Sequence, residues 1–179
     1  MSISTRQHTI VTSHRSLAIE ESSQGDIPVL LIHGNSSCRG VFRHQLQGRL
    51  AQNHRLIAFD LPGHGQSSNA PDPTQSYTRP GLADAAVELL EKLGVTEAIV
   101  FGWSLGGHIG IEMVPRFSGM RGLMVTGTPR CELSITLAPI ELRHACKARR
   151  SILVPLTPIA AALALYRCCP MRRRKRASL

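Results

Sequence analysis

Little in this sequence points to a membrane, a metal or a disulfide scaffold. The run Ile152–Tyr166 is apolar, but Pro155 and Pro158 break it. It is also shorter than the ~20 residues a membrane-spanning helix needs. The opening residues "MSISTRQHTI" lack the apolar core of a secretory signal, so a reduced, cytoplasmic setting is the expectation. The five cysteines, Cys38, Cys131, Cys146, Cys168 and Cys169, follow no metal-ligand spacing and suggest no disulfide framework. No internal repeat is visible.

What is present suits one folded domain. The chain has 179 residues, of which 42% are apolar, enough for a real core but short for two domains. The net charge of +9 would by itself suggest an anionic partner. It is unevenly spread, however. Residues 1–130 hold 11 Lys/Arg against 10 Asp/Glu, whereas residues 131–179 hold 10 against 2.

The first 130 residues alternate between strand-like and helix-like patterns. "HTIVTSHRSLAIEES" reads as a hairpin. "IPVLLIHG" and "HRLIAFD" are continuous apolar runs, as in strands buried on both faces of a parallel sheet. "VFRHQLQGRLA" has the spacing of one amphipathic helix. "PGLADAAVELLEKLG" is a clearer helix, with Pro80 near its start and Gly94 ending it. "EAIVFG", "SLGGHIGIEMVPRF" and "RGLMVTG" then predict strand, helix and strand. Such alternation indicates a largely parallel sheet. After about Pro129 it dissolves.

The sharpest chemical signal is "FGWSLGG", Phe101 to Gly107, which contains G-x-S-x-G. Between a strand and a helix this pattern marks a strained turn that lifts a serine clear of the sheet. Gly102 and Gly106 are expected there because a Cβ would collide as strand and helix close together. The helix N-terminus behind Ser104 offers free N–H groups and a positive dipole end, both favouring developing negative charge. Ser104 is the candidate nucleophile, and the N–H of Leu105 is a candidate oxyanion donor.

Four stretches in order, "LIHGNSS", "FDLPGHGQS", "YTRPGLADAAVELLEKLGV" and "GWSLGGH", make residues 8 to 130 resemble the α/β-hydrolase family. The resemblance implies an α/β three-layer sandwich with a mostly parallel sheet. Strands one to six are recognisable in it, and the C-terminal strands and cap are not. By family position Asn35 supplies the second oxyanion N–H. Trp103 is a candidate for lining the acyl pocket, with core packing an equally good explanation. A serine rather than an aspartate at the elbow argues against dehalogenase and epoxide-hydrolase branches. It favours esterase, C–C hydrolase or perhydrolase-like chemistry, and the resemblance implies a small-molecule ester or related acyl substrate with no metal or organic cofactor. His33, His64 and Asp60 are expected to brace loops, and Ser37, Ser67 and Ser68 to be ordinary loop residues.

In this family the acid and then the histidine follow the nucleophile. Beyond Ser104 stand only His108, inside the helix the serine begins, and His144, between Arg143 and Lys147. The place after strand six reads "VTGTPR", without a carboxylate; Glu132 and Glu141 come later. None of these is placed by pattern to complete a triad. The expectation is a partial core over 1–130 followed by an atypical basic and apolar tail over 131–179, disordered or irregularly helical. A replaced family C-terminal half, as a frameshift or truncation would leave, is favoured over a short cap or a surface contact through "MRRRKR". Neither specific nucleic-acid binding nor membrane contact of the tail is expected. The alternative to an impaired serine hydrolase is a catalytically inert fragment or binding protein. Loss of the strand beside strand six would leave an apolar edge, and self-association through it is the expected consequence.

Overall fold

The computed structural model describes residues 4–22, 25, 27–128 and 152–155. Among these residues seven strands form one sheet in the order β1-β2-β4-β3-β5-β6-β7. The hairpin comes first, with β1 (Thr5–Thr12) antiparallel to β2 (Arg15–Ser22). β3 (Val29–Ile32), β4 (Leu56–Phe59), β5 (Ala98–Trp103) and β6 (Met120–Thr126) make a parallel centre. The flanking pair β2–β4 is antiparallel, as is β6 with β7 (Ile152–Pro155).

The short runs in β3 and β4 are buried on both faces, as their unbroken apolar sequence requires. Leu30, Ile32, Ile57 and Phe59 enter one core with α4 (Arg79–Lys92) and α5 (Leu105–Met113). Their alternating neighbours Val29, Leu31, Leu56 and Ala58 enter a second core with Phe42, Leu46 and Ala51. The period of two in each strand therefore builds a helix layer on either side of the sheet. Full burial of each Val, Leu, Ile or Phe among them contributes about 1.5–3 kcal/mol relative to exposure.

α4 begins where Thr78 Oγ1 accepts the Gly81 N–H at 3.0 Å, with Pro80 in its first turn. It ends before Gly94, whose φ of +66° is open to glycine without strain. A shorter helix, α3 (Pro73–Ser76), is capped by the Asp72 carboxylate, which accepts from the Thr74 and Gln75 N–H groups.

Two expectations need correction. The single helix read in "VFRHQLQGRLA" is instead a 3₁₀ turn (Arg39–Phe42) followed by α1 (Arg43–Leu46) and α2 (Leu50–Asn53). The break falls at Gly48, where a Cβ would collide with the His44 carbonyl. The chain there turns too tightly to continue the helix, and only Phe42, Leu46 and Ala51 reach the core. The second correction concerns the outer side of β6. β7 (Ile152–Pro155) lies along it, pairing Gly122 with Pro155 and Val125 with Ile152. A row of unpaired N–H and C=O groups is costly to leave open, and a β-branched apolar segment is a suitable cover.

Candidate active site

The parallel register aligns the C-terminal ends of four strands. Ile32 pairs with Phe59 and Gly102, and Trp103 with Thr126. His33, Asp60 and Ser104 therefore follow these strands at the same end of the sheet, where open α/β sheets form their ligand crevices.

Ser104 occupies the tight turn between β5 and α5, with φ 55° and ψ −117°. This is a region that only glycine enters freely, and holding a serine there costs about 1–3 kcal/mol. The surroundings impose it. Ser104 N–H donates to the Thr126 carbonyl at 2.9 Å, and its own carbonyl accepts from Gly107 N–H at 3.0 Å. A Cβ on Gly102 would run into the Gly106 backbone, and one on Gly106 into the Ile32 carbonyl. The absence of both side chains lets β3, β5 and α5 close together. Leu105, half-buried, heads α5 with its N–H among the helix's unpaired first donors.

Across from the serine runs the loop after β3. Gly34 lies against the elbow: a Cβ there would stand 3.0 Å from Ser104 Cβ and 3.3 Å from Trp103 Cε3. Asn35 and Ser36 follow in an exposed turn, with Ser36 at φ 54°. Among the described residues three non-glycines have positive φ; Arg15 turns the hairpin, and Ser36 and Ser104 belong to these two facing segments. Trp103 is 38% exposed beside the serine, and its indole edge also approaches Gly127.

His33 is fully buried, and both of its ring nitrogens are engaged. Nδ1–H donates to the Gly34 carbonyl at 2.7 Å, and Nε2 accepts from Leu61 N–H at 3.0 Å. Burial pushes its pKa below the ordinary histidine value, with the bond to Gly34 opposing. The His64 ring lies 5.3 Å away, tilted by 56° to that of His33, with Nδ1 on the Pro62 carbonyl at 3.0 Å. These histidines brace loops, as expected. Asp60 does so too, accepting from the Arg39 backbone, the Arg39 guanidinium and Gln66 N–H.

Sequence reasoning passed over Arg39 and undervalued Ser67. Arg39 is buried against Asp60, and Ser67 Oγ donates to the Asp60 carbonyl while accepting from Ala18 N–H. The available signal was Asp60 itself: a carboxylate directly after the buried strand "LIAF" has to be met by donors. His108 is half-buried on α5. His144, Glu132 and Glu141 lie outside the described residues, as do the other tail residues around β7. No cluster of three or more His, Cys, Asp or Glu side chains suited to a metal ion occurs among the described residues. Nor is any helix there long and apolar enough to cross a membrane.

A family model described as the alpha/beta hydrolase family matches residues 29–176. Among relatives, the AB hydrolase superfamily protein YisY of Bacillus subtilis (strain 168) is 31% identical over 113 residues, 63% of this chain and 41% of that protein. The pimeloyl-[acyl-carrier protein] methyl ester esterase of Nitrosospira multiformis is 34% identical over 101 residues, 56% of this chain and 37% of that protein. Among solved structures, the N-acyl homoserine lactonase AidH, complexed with N-butanoyl homoserine, matches with a TM-score of 0.68 and 53% identity. That match covers 69% of this chain and 45% of AidH. The chain thus spans less than half the length of these relatives.

Proposed function

This chain belongs to the α/β hydrolase family, and within it we propose that it carries the nucleophile half of a serine hydrolase for a small carboxylic ester or lactone. The observation that supports this most is the strained backbone of Ser104, at φ 55° and ψ −117° between β5 and α5. Such strain is tolerated where a side chain has to be presented, because a glycine would adopt these angles without it.

In the proposed reaction Ser104 Oγ attacks the substrate carbonyl carbon, and its proton passes to a base. The carbonyl oxygen becomes the oxyanion, met by the N–H groups of Asn35 and Leu105. Collapse breaks the carbonyl–oxygen single bond, leaving an acyl-serine and an alcohol, which in a lactone stay in one molecule. Water then cleaves the acyl-serine. Trp103, exposed beside the serine, is the residue proposed to contact the acyl group.

The substrate class rests on chemistry shared by the relatives. Two are by name an ester hydrolase and a lactonase, and both cleave an acyl–oxygen bond. Neither His33 nor His64 is the proposed base. His33 has both ring nitrogens engaged at full burial, and His64 is read as a brace of its own loop through Nδ1 and the Pro62 carbonyl, the role the resemblance gives it. If no base reaches Ser104, oxyanion binding alone leaves a residual acceleration on the order of 10³–10⁴ over water.

The test is labelling of the full chain with a fluorophosphonate, alongside hydrolysis of p-nitrophenyl butanoate and N-hexanoyl homoserine lactone. Labelling and turnover that disappear in Ser104→Ala are the expected result. A folded chain that takes no label and hydrolyses neither compound would identify an inert member of the family instead.

A further inference from the structure

The loop that faces Ser104 is not held by burial. Asn35, Ser36 and Cys38 are exposed and Ser37 is only half-buried. It is held at its two ends, and both ends are fastened to the same neighbouring segment. On one side, His33 Nε2 accepts Leu61 N–H at 3.0 Å, while Nδ1–H secures the Gly34 carbonyl at 2.7 Å. On the other side, Arg39 N–H donates to Asp60 Oδ1 at 2.6 Å, and guanidinium Nη1 donates to Asp60 Oδ2. The second guanidinium arm, Nη2, reaches Gln66 Oε1 at 2.6 Å. Gln66 returns its own N–H to Asp60 Oδ2 at 2.8 Å.

The ion pair at the centre of the cluster is buried, with Gln66 at its exposed rim. Asp60 has no side-chain exposure and Arg39 only 9%. Gly65, at φ +52°, passes so close that a Cβ would strike the Asp60 carboxylate. A buried ion pair is a poor device for stability alone, since an apolar pair of equal volume often does as well. Its particular contribution is geometric, because a forked guanidinium fixes direction as well as distance. Here the fork lies one residue beyond an unburied loop whose backbone includes the left-handed Ser36.

The geometry points to Arg39 as a positioning residue: through Asp60 and Gln66 it sets where the Asn35 N–H stands relative to Ser104. This deepens the serine-hydrolase reading and rests on it. Arg39 touches no substrate in this scheme; it fixes the far end of the five-residue span whose near end is His33.

Two variants of the full chain test the idea. Arg39→Lys keeps a cation beside Asp60 but gives up the forked reach to Gln66. The double variant Arg39→Met with Asp60→Asn removes the pair without leaving one charge buried alone. Each is measured for amide exchange in peptides spanning residues 34–38, with β5 as internal reference, and for the rate constant of fluorophosphonate labelling. Faster exchange confined to 34–38 is expected in both. Labelling should slow about tenfold to hundredfold in the double variant, as misplacement rather than outright loss of a donor does, and by less in Arg39→Lys. Unchanged exchange in that loop, or a loosened loop with labelling within about twofold of wild type, overturns the assignment. A wild-type chain that takes no label overturns the hydrolase reading instead. Exchange then decides the clamp alone, with loosening of 34–38 supporting it and unchanged exchange refuting it.

Discussion

Gly34 and Ser104 are in contact across the mouth of the candidate site, so that a Cβ on Gly34 would lie 3.0 Å from the serine Cβ. The same atom would press on the Trp103 ring at 3.3 and 3.4 Å. No positive φ is involved at Gly34, so alanine is crowded by its neighbours rather than strained in its backbone. Gly34→Ala should therefore leave the fold intact while displacing the elbow by a few tenths of an ångström. Labelling by a fluorophosphonate is expected to fall about tenfold or more, since small misplacements of reacting groups are costly. A variant labelled as fast as wild type would show that the elbow yields without consequence.

Ser104 itself gives the converse prediction, in which function and stability oppose each other. At φ 55° and ψ −117° the serine bears strain of about 1–3 kcal/mol. Ser104→Gly relieves it but adds about 0.5–1 kcal/mol of unfolded-chain entropy. The net expectation is a gain of about 1 kcal/mol in urea unfolding, with no labelling. Ser104→Ala keeps a Cβ in the same conformation and should show no such gain. Equal stabilities for the glycine and alanine variants would mean that the turn is not strained.

The parts of this molecule legible in its sequence are those whose cause is local. The apolar runs of β3 and β4, the Thr78 cap with Pro80, and the Gly94 stop each carry their reason within a few residues. The elbow belongs with them, since Gly102 and Gly106 are forced by chain crossings that the motif itself describes. Arg39 was not legible, because its partner Asp60 is 21 residues away and nothing in "SSCRG" marks a buried arginine. β7 was hidden for the same reason. Its partner strand, ending at Thr126, lies far back in the chain, and Pro155 within it disguises the pattern. The broken helix at Gly48 shows a different limit: amphipathic spacing survived, but one glycine at a close approach redirected the backbone.

His33 makes stability depend on pH in a definite direction. Burial holds its folded pKa below the ordinary value of about 6.5. Between those two values the unfolded chain binds a proton that the folded chain refuses, so stability rises with pH across that window. The contribution is complete above about pH 6.5 and is lost as pH falls toward the folded value. Protonation would also remove the acceptor that Leu61 N–H uses. Urea unfolding between pH 7.5 and 5.5 should show a slope of at most about 1.4 kcal/mol per unit from this group. His33→Gln should be less stable at the upper end and show a shallower slope. An identical slope in the variant would assign the dependence to other histidines.

The β6–β7 pair decides where the sheet has a vulnerable edge. Leu123 and Val125 of β6 are buried, and the register sets Leu123 opposite Val154 and Val125 opposite Ile152. With β7 in place the β6 backbone is paired from Gly122 to Val125, and we propose that this pairing limits the self-association expected of an open β6 edge. Val154→Pro removes an N–H and forces a ring into the ladder, which a paired strand does not accommodate. The variant should expose β6 and shift toward dimers and larger species in size-exclusion chromatography with light scattering. Wild type at the same concentration should elute as the smaller species. Identical profiles for the two would mean that β7 does not shield β6 in solution, and a wild type already associated would place the sticky edge elsewhere in the sheet.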